Sequence, residues 1–211
     1  MKKKCFAIQP KMKRRVFLMS FGIFLIGFAL SVLIKIDLGT DPCSCFALGV
    51  SRHIPLSFGT CQFLCHVIPF LLVLKYDRSK ISYGTVVNMV FLGYIADFFQ
   101  WIWDSILPSG FFEPVTVRYG LLLPALAVFI CGAASYMCAD IGMSPYDALP
   151  FILSDHITRF SFRTIRIAWD TAYLLAGFFL GGTVGIVTIA IAFFLGPVVG
   201  WFRKRLEVFL A

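Results

Sequence analysis

Six apolar runs set the limits on what this chain can become: Val16–Ile36, Ser57–Leu74, Gly84–Trp103, Tyr119–Ala139, Thr164–Leu180 and Thr183–Phe202. Each approaches the roughly 20 residues a helix needs to cross ~30 Å of hydrocarbon. The fifth run is the least apolar, with charges near its start, and only Gly181 and Gly182 separate it from the sixth. Composition agrees with a membrane bundle. Of 211 residues, 59% are hydrophobic and 14% charged, and the mean hydropathy is +0.87. A soluble core of this size has no use for 24 phenylalanines, whereas lipid-facing helices do.

The basic residues orient the runs. With the N-terminus inside, the cytoplasmic side receives the cluster Lys2 to Arg15, then Lys75, Arg78 and Lys80, then Arg159, Arg163 and Arg166, then Arg203, Lys204 and Arg205. The outer side receives only Lys35, Arg52 and Arg118. This asymmetry predicts six spans with both termini cytoplasmic. It also accounts for the net charge of +8 without nucleic acid, because the cations sit at the ends of apolar runs. The first run is longer than a signal-peptide core, and no small-x-small cleavage site follows it, so it reads as a retained span.

Two segments fit neither span nor loop: "DLGTDPCSCFALGVSRHIPLSFGT", 37–60, and "DIGMSPYDALPFILSDHITRFSFRT", 140–164. At an offset of 103, Asp37, Gly39 and Pro42 meet Asp140, Gly142 and Pro145. Ser51, His53 and Ile54 meet Ser154, His156 and Ile157. After one extra residue, Ser57, Phe58 and Thr60 meet Ser161, Phe162 and Thr164, and later "FLG" at 91–93 meets "FLG" at 194–196. The chain thus reads as a basic segment 1–15, a first repeat 16–103, an extracellular linker 104–118 and a second repeat 119–205. Each repeat holds three spans, an odd number, so the second is expected upside down relative to the first. The expected fold is an all-α membrane protein of two inverted-topology repeats.

Within the repeats, short helices are expected over 41–53 and 144–156. Asp41 and Ser144 are good N-caps, Pro42 and Pro145 suit the first helical position, and Asp147 stands where a capping box wants an acid. About 12 apolar residues make ~18 Å of helix, half a bilayer. Such helices either dip into the bundle or lie on its surface. If they dip, their N-termini meet near the middle and favour a polar solute. Asp41 and Asp147 oppose an anion there, so the sign of the solute stays open.

Polar side chains in spans are costly and mark function by default. Gln62 and His66 lie four apart in the second run, and Arg166 and Asp170 at the corresponding positions of the fifth, where they can pair. Asn88 lies in the third. The candidate solute site is His66, Arg166, Asp170, Gln62, Asn88, Asp41, Ser44, Ser144 and Asp147. The alternative is that these groups join helices through hydrogen bonds. Small residues Gly22, Gly27 and Ser31, and Gly132 to Ser135, predict close packing of the first and fourth spans. Cys43, Cys45, Cys61 and Cys65 with His53 and His66 form a weaker candidate for soft-metal ligation or a disulfide; no metal or cofactor is expected. The chain shows no metalloprotease, hydrolase, Walker or dinucleotide motif, and no enzyme activity is expected.

"LGTDPCSCFALGVS…LSFGTCQFL", "DIGMSPYDALPFILS…FSFRTIRIAWD" and "GGTVGIVTIAIAFFLGPVVGWF" resemble the YczE/YyaS/YitT-type bacterial membrane proteins. The resemblance runs from about Val16 to Phe202 and implies an integral protein of the bacterial cell membrane. "SPYD" is the more family-like segment; "DPCS" departs from it, with an acid before Pro42. The expected function is a transporter or channel for a small polar solute bound between the repeats. Alternatives are a substrate-binding subunit of a larger transporter, and an accessory that scaffolds a membrane complex. Expected partners are the lipid bilayer, the solute, and either further copies of the chain or another membrane protein.

Overall fold

The computed structural model describes residues 10–191, 201–202 and 205, and among them the secondary structure is entirely helical. The order is α1 (Met12–Ile36), α2 (Pro42–Ser51), α3 (Phe58–Tyr76), α4 (Tyr83–Ile106), α5 (Val115–Cys138), α6 (Pro145–His156) and α7 (Phe162–Phe179), with a single 3-10 turn, Arg78–Lys80, before α4. Helix resumes over 186–191. Most of the sixth expected span, 192–200, lies outside the described residues.

Helices α1, α3, α4 and α5 are long and apolar enough to cross a membrane. Their outward faces carry Phe17, Ile68 and Leu123, each 64–71% exposed. A protein in water does not leave such a belt uncovered, and lipid is the solvent that suits it. The fifth expected span forms as α7, whose 18 residues include Arg163, Arg166 and Asp170, so it is less apolar than the other four. The linker is shorter than 104–118, because α4 runs on to Ile106 and α5 begins at Val115.

The centre of the core is α1 against α5, with α4 on the flank of α1. Close approach of α1 and α5 depends on Gly22 and Gly132. A Cβ on Gly22 would stand 2.6 Å from the backbone N of Tyr136, and one on Gly132 would stand 2.9 Å from the carbonyl of Gly22. Small residues are the means by which membrane helices reach van der Waals contact. The other small residues of α1 face elsewhere. Gly27 lies against Ile95 of α4, and Ser31 Oγ accepts a hydrogen bond from the Trp103 indole of α4 at 3.0 Å.

Both short helices turn back into the protein. Asp37, at the end of α1, and Arg52, at the end of α2, have charged atoms 4.0 Å apart, so the 37–52 segment enters and leaves at one end of the bundle. Its helix is buried along Pro42, Cys43, Ser44, Cys45, Ala47 and Gly49. A helix lying on a surface would bury one face only. Segment 140–156 does the same at the opposite end, where Tyr76 meets His156 edge to face and Gly84 N donates to Ile141 O at 2.8 Å.

The same local devices hold both segments. Asp37 and Asp140 have φ 51°, and Gly39 and Gly142 have φ 105° and 112°. That region is open to glycine and strained for other residues. Val187 N donates to Leu38 O as Gly84 N does to Ile141 O. Gly185 N donates to Thr188 Oγ1 at 3.3 Å as Ser82 N does to Thr85 Oγ1 at 3.2 Å. Ser57 caps α3 through Thr60 N, and Ser161 caps α7 through Thr164 N, each at 3.2 Å.

Candidate functional site

The sequence stops α2 and α6 at their N-termini with side-chain caps. Asp41 accepts from Ser44 N at 3.1 Å, and Ser144 Oγ accepts from Asp147 N at 3.1 Å. Asp147 does not complete a capping box. Its carboxylate accepts instead from Ser144 Oγ at 2.7 Å and from Arg166 Nη1 at 2.8 Å. A guanidinium one helix away outcompetes a backbone N–H for the carboxylate, because the charge-assisted bond is the stronger.

Arg166 is the hub. Its Nε donates to Asp170 at 3.0 Å, the pairing expected four residues along α7, while Nη1 reaches across to Asp147 on α6. The guanidinium also lies 5.2 Å from the centre of the Tyr146 ring, within cation–π range. The Tyr146 hydroxyl donates to Asp170. Tyr146 meets Tyr173 edge to face at 4.8 Å, and Tyr173 meets Trp169 at 4.9 Å and Phe46 of α2 at 5.3 Å. The rings of α2, α6 and α7 thus form one wall beside the ion pairs.

The first half supplies the other side. α2 packs on both α3 and α7, while α6 packs on α3 and α7, so the two short helices share the same pair of neighbours. Asp41 and Asp147 lie within electrostatic reach of each other. Cys43 is within reach of Asp41, Asp147 and Arg166, and its Sγ stands 3.7 Å from His66 Nε2. His66 is within reach of Asp147. The two helix N-termini therefore converge, with charged groups from both halves of the chain around them.

Several polar atoms here are buried and make no hydrogen bond among the described residues: Ser44 Oγ, His66 Nδ1, Gln62 Oε1, the Tyr136 hydroxyl and Trp169 Nε1. His66 and Tyr136 are each 4% exposed, and Tyr136 of α5 is within reach of Asp147. Buried polar atoms without partners cost about 1–3 kcal/mol each, which is tolerated where a site must take a ligand.

Of the expected site residues, Asp41, Ser44, His66, Ser144, Asp147, Arg166 and Asp170 come together. Gln62 shares the face of α3 with His66 but also packs on Gly93 of α4. Asn88 is buried on α4, and no hydrogen bond or ion pair among the described residues ties it to the cluster. Tyr146, Trp169, Tyr173 and Tyr136 join these contacts, although their spacing in the sequence does not single them out. Among the described residues the six cysteines are free, and no three His, Cys, Asp or Glu side chains gather as a metal set. A separate apolar cleft of about 370 Å³ lies between Phe28, Trp103, Phe112 and Pro124, where α1, α4 and α5 meet the linker.

Comparison with known proteins agrees with the membrane reading. The chain is 25% identical over 193 residues to a Haemophilus influenzae protein described as uncharacterized, covering 90% of this chain and 83% of that one. It is 24% identical over 178 residues to the uncharacterized membrane protein YczE of Bacillus subtilis, covering 83% and 79%. No solved structure matches. The model of a family of unknown function, DUF6198, matches residues 13–204, so the chain belongs to that family of YczE-type membrane proteins.

Proposed function

We propose that this chain is a membrane transporter or channel for a small polar solute, which binds where the N-termini of α2 and α6 converge. One observation carries the reading: Asp41, which caps α2 in the first half, and Asp147, in the first turn of α6 in the second, lie within electrostatic reach, at the starts of short helices that enter from opposite ends. Transporters built from inverted repeats place solutes at such paired helix breaks. The matched pairs Arg15 and Arg118, Thr85 and Thr188, and Gly39 and Gly142 support an inverted repeat of about 103 residues. In this reading six spans cross the cell membrane with both termini cytoplasmic, and rocking one repeat against the other exposes the site alternately.

The accessory reading has its own support. Arg166 satisfies two carboxylates, and the surrounding rings pack on one another, as in a structural knot. Thermal stability of the purified protein against a broad panel of ions, amino acids and vitamins separates the two. A ligand present at 100 times its Kd adds about 2.7 kcal/mol to the native state. A stabilising ligand whose effect is lost in Asp170→Asn and Arg166→Gln supports transport; no response across the panel favours the accessory.

A further inference from the structure

We infer that the solute taken at the convergence of α2 and α6 is a small organic ammonium ion. This rests on the proposed solute site and fixes the sign and chemistry of its ligand. Asp147 and Asp170 both pair with Arg166, and Asp41 lies within electrostatic reach of Asp147, so three carboxylates surround one described cation. The N-terminal ends of α2 and α6 each contribute about half a positive charge. The balance is about one negative charge, in a place largely removed from water. A monovalent cation neutralises it, and an anion would worsen it.

Two further observations favour an organic cation over a metal ion. The first is the wall of rings. Tyr146 already carries a guanidinium at 5.2 Å, and Tyr173, Trp169 and Phe46 continue the aromatic surface. Faces of this kind bind ammonium groups, whereas hard metal ions require a shell of oxygen ligands. The second is the set of unpartnered atoms. The Tyr136 hydroxyl and His66 Nδ1 belong to residues more than nine-tenths buried and within electrostatic reach of Asp147, and the other His66 nitrogen stands 3.7 Å from Cys43 Sγ at the start of α2. One turn from His66, Gln62 Oε1 is an acceptor without a donor. Each can accept an N–H from a primary ammonium group, so the site offers both charge and hydrogen bonds to such a ligand.

The test is the melting temperature of the full-length protein in detergent, titrated with n-propylammonium chloride and tetramethylammonium chloride. Sodium chloride, sodium acetate and sodium phosphate at equal ionic strength serve as comparisons. The expected result is a saturable rise with both ammonium ions and none with the sodium salts. Asp41→Asn keeps a helix cap while removing the charge; it should weaken propylammonium binding by about tenfold or more. Tyr173→Leu should weaken tetramethylammonium more than propylammonium. Stabilisation by acetate or phosphate alone overturns the sign and leaves the solute site standing. So does stabilisation by neutral solutes alone. If ions of both signs and neutral solutes all fail with a protein of full helical content, the inference falls together with the site. The wild-type titration decides the sign by itself, so a variant that does not fold leaves the test intact.

Discussion

Arg15 and Arg118, 103 positions apart, make the same bond at opposite ends of the bundle. Arg15 Nη1 donates to Ala139 O at 2.9 Å, and Arg118 Nε donates to Ile36 O at 2.5 Å. Each arginine stands early in one central helix and holds the last carbonyl of the other, α1 or α5. Ends of helices leave carbonyls unpaired, and a cation there satisfies both the hydrogen bond and the dipole. Arg118 also reaches Asp37 O at 2.8 Å. We expect Arg118→Gln to cost about 1.5–3 kcal/mol, and Arg15→Gln less, because only one of its two bonds reaches α5; the other, from Nε to Pro10 O at 3.1 Å, is local and exposed. Unfolding of the detergent-solubilised variants, followed by helical circular dichroism, measures the difference. Equal and negligible losses would show that these bonds do not hold α1 against α5.

The turn glycines offer a cleaner comparison. A Cβ on Gly39 would stand 2.6 Å from Gly185 N, and one on Gly142 would stand 2.7 Å from Thr85 Oγ1, both at positive φ. Gly120, on α5, has open space around it. Gly39→Ala and Gly142→Ala should each cost about 2 kcal/mol or more, from strain and from displaced partners. Gly120→Ala should be neutral or slightly stabilising. Melting temperatures of the three variants check this, and a loss at Gly120 as large as the others would refute the local explanation.

Arg166 sits between two acids, so removing it and removing one acid are not equivalent. Arg166→Gln leaves Asp147 and Asp170 facing each other without a cation; for a partly buried cluster we expect about 3 kcal/mol of destabilisation. Asp170→Asn keeps the Asp147 bond and the packing, and should cost about half as much. The double variant should recover part of the loss of Arg166→Gln, because one of the stranded charges is gone. A double-mutant cycle reads this coupling directly. Strict additivity would mean that the three groups are not energetically linked.

Local signals in the sequence carried well into the structure, and distant ones did not. The short helices expected over 41–53 and 144–156 form over 42–51 and 145–156, because a capping side chain and a following proline are local instructions. Apolar runs located α1, α3, α4 and α5 but not their ends. Helix α4 continues to Ile106 through Trp103 and Asp104, since a helix persists into the interface once nucleated. The pairing of Arg166 with Asp170 is a spacing on one helix and was legible. Its second bond, to Asp147, depends on how α6 lies against α7, which no periodicity encodes. Asn88 shows the limit of the same reasoning: a polar residue in a span invites a functional reading, and what its buried amide faces on α4 depends on helix packing that no periodicity encodes.

The strongest test of the architecture is where the ends of the short helices emerge. Arg52 ends α2 beside Asp37 and bonds Gly181 O, whereas His156 ends α6 beside Tyr76. If six spans cross with the N-terminus inside, position 52 faces out and position 159 faces the cytoplasm, consistent with the density of Lys and Arg at the second end. In a cysteine-free background, Arg52→Cys in intact cells should react with a membrane-impermeant maleimide, and Arg159→Cys should react only after permeabilisation. A surface position for α2 and α6 would also expose the middle of each helix. Cysteines returned singly at Cys43 and Cys45, which are 4% and 0% exposed, should therefore resist labelling from either side. Ready labelling of Cys45 in folded protein would mean that α2 does not enter the bundle, and the convergence with α6 would go with it.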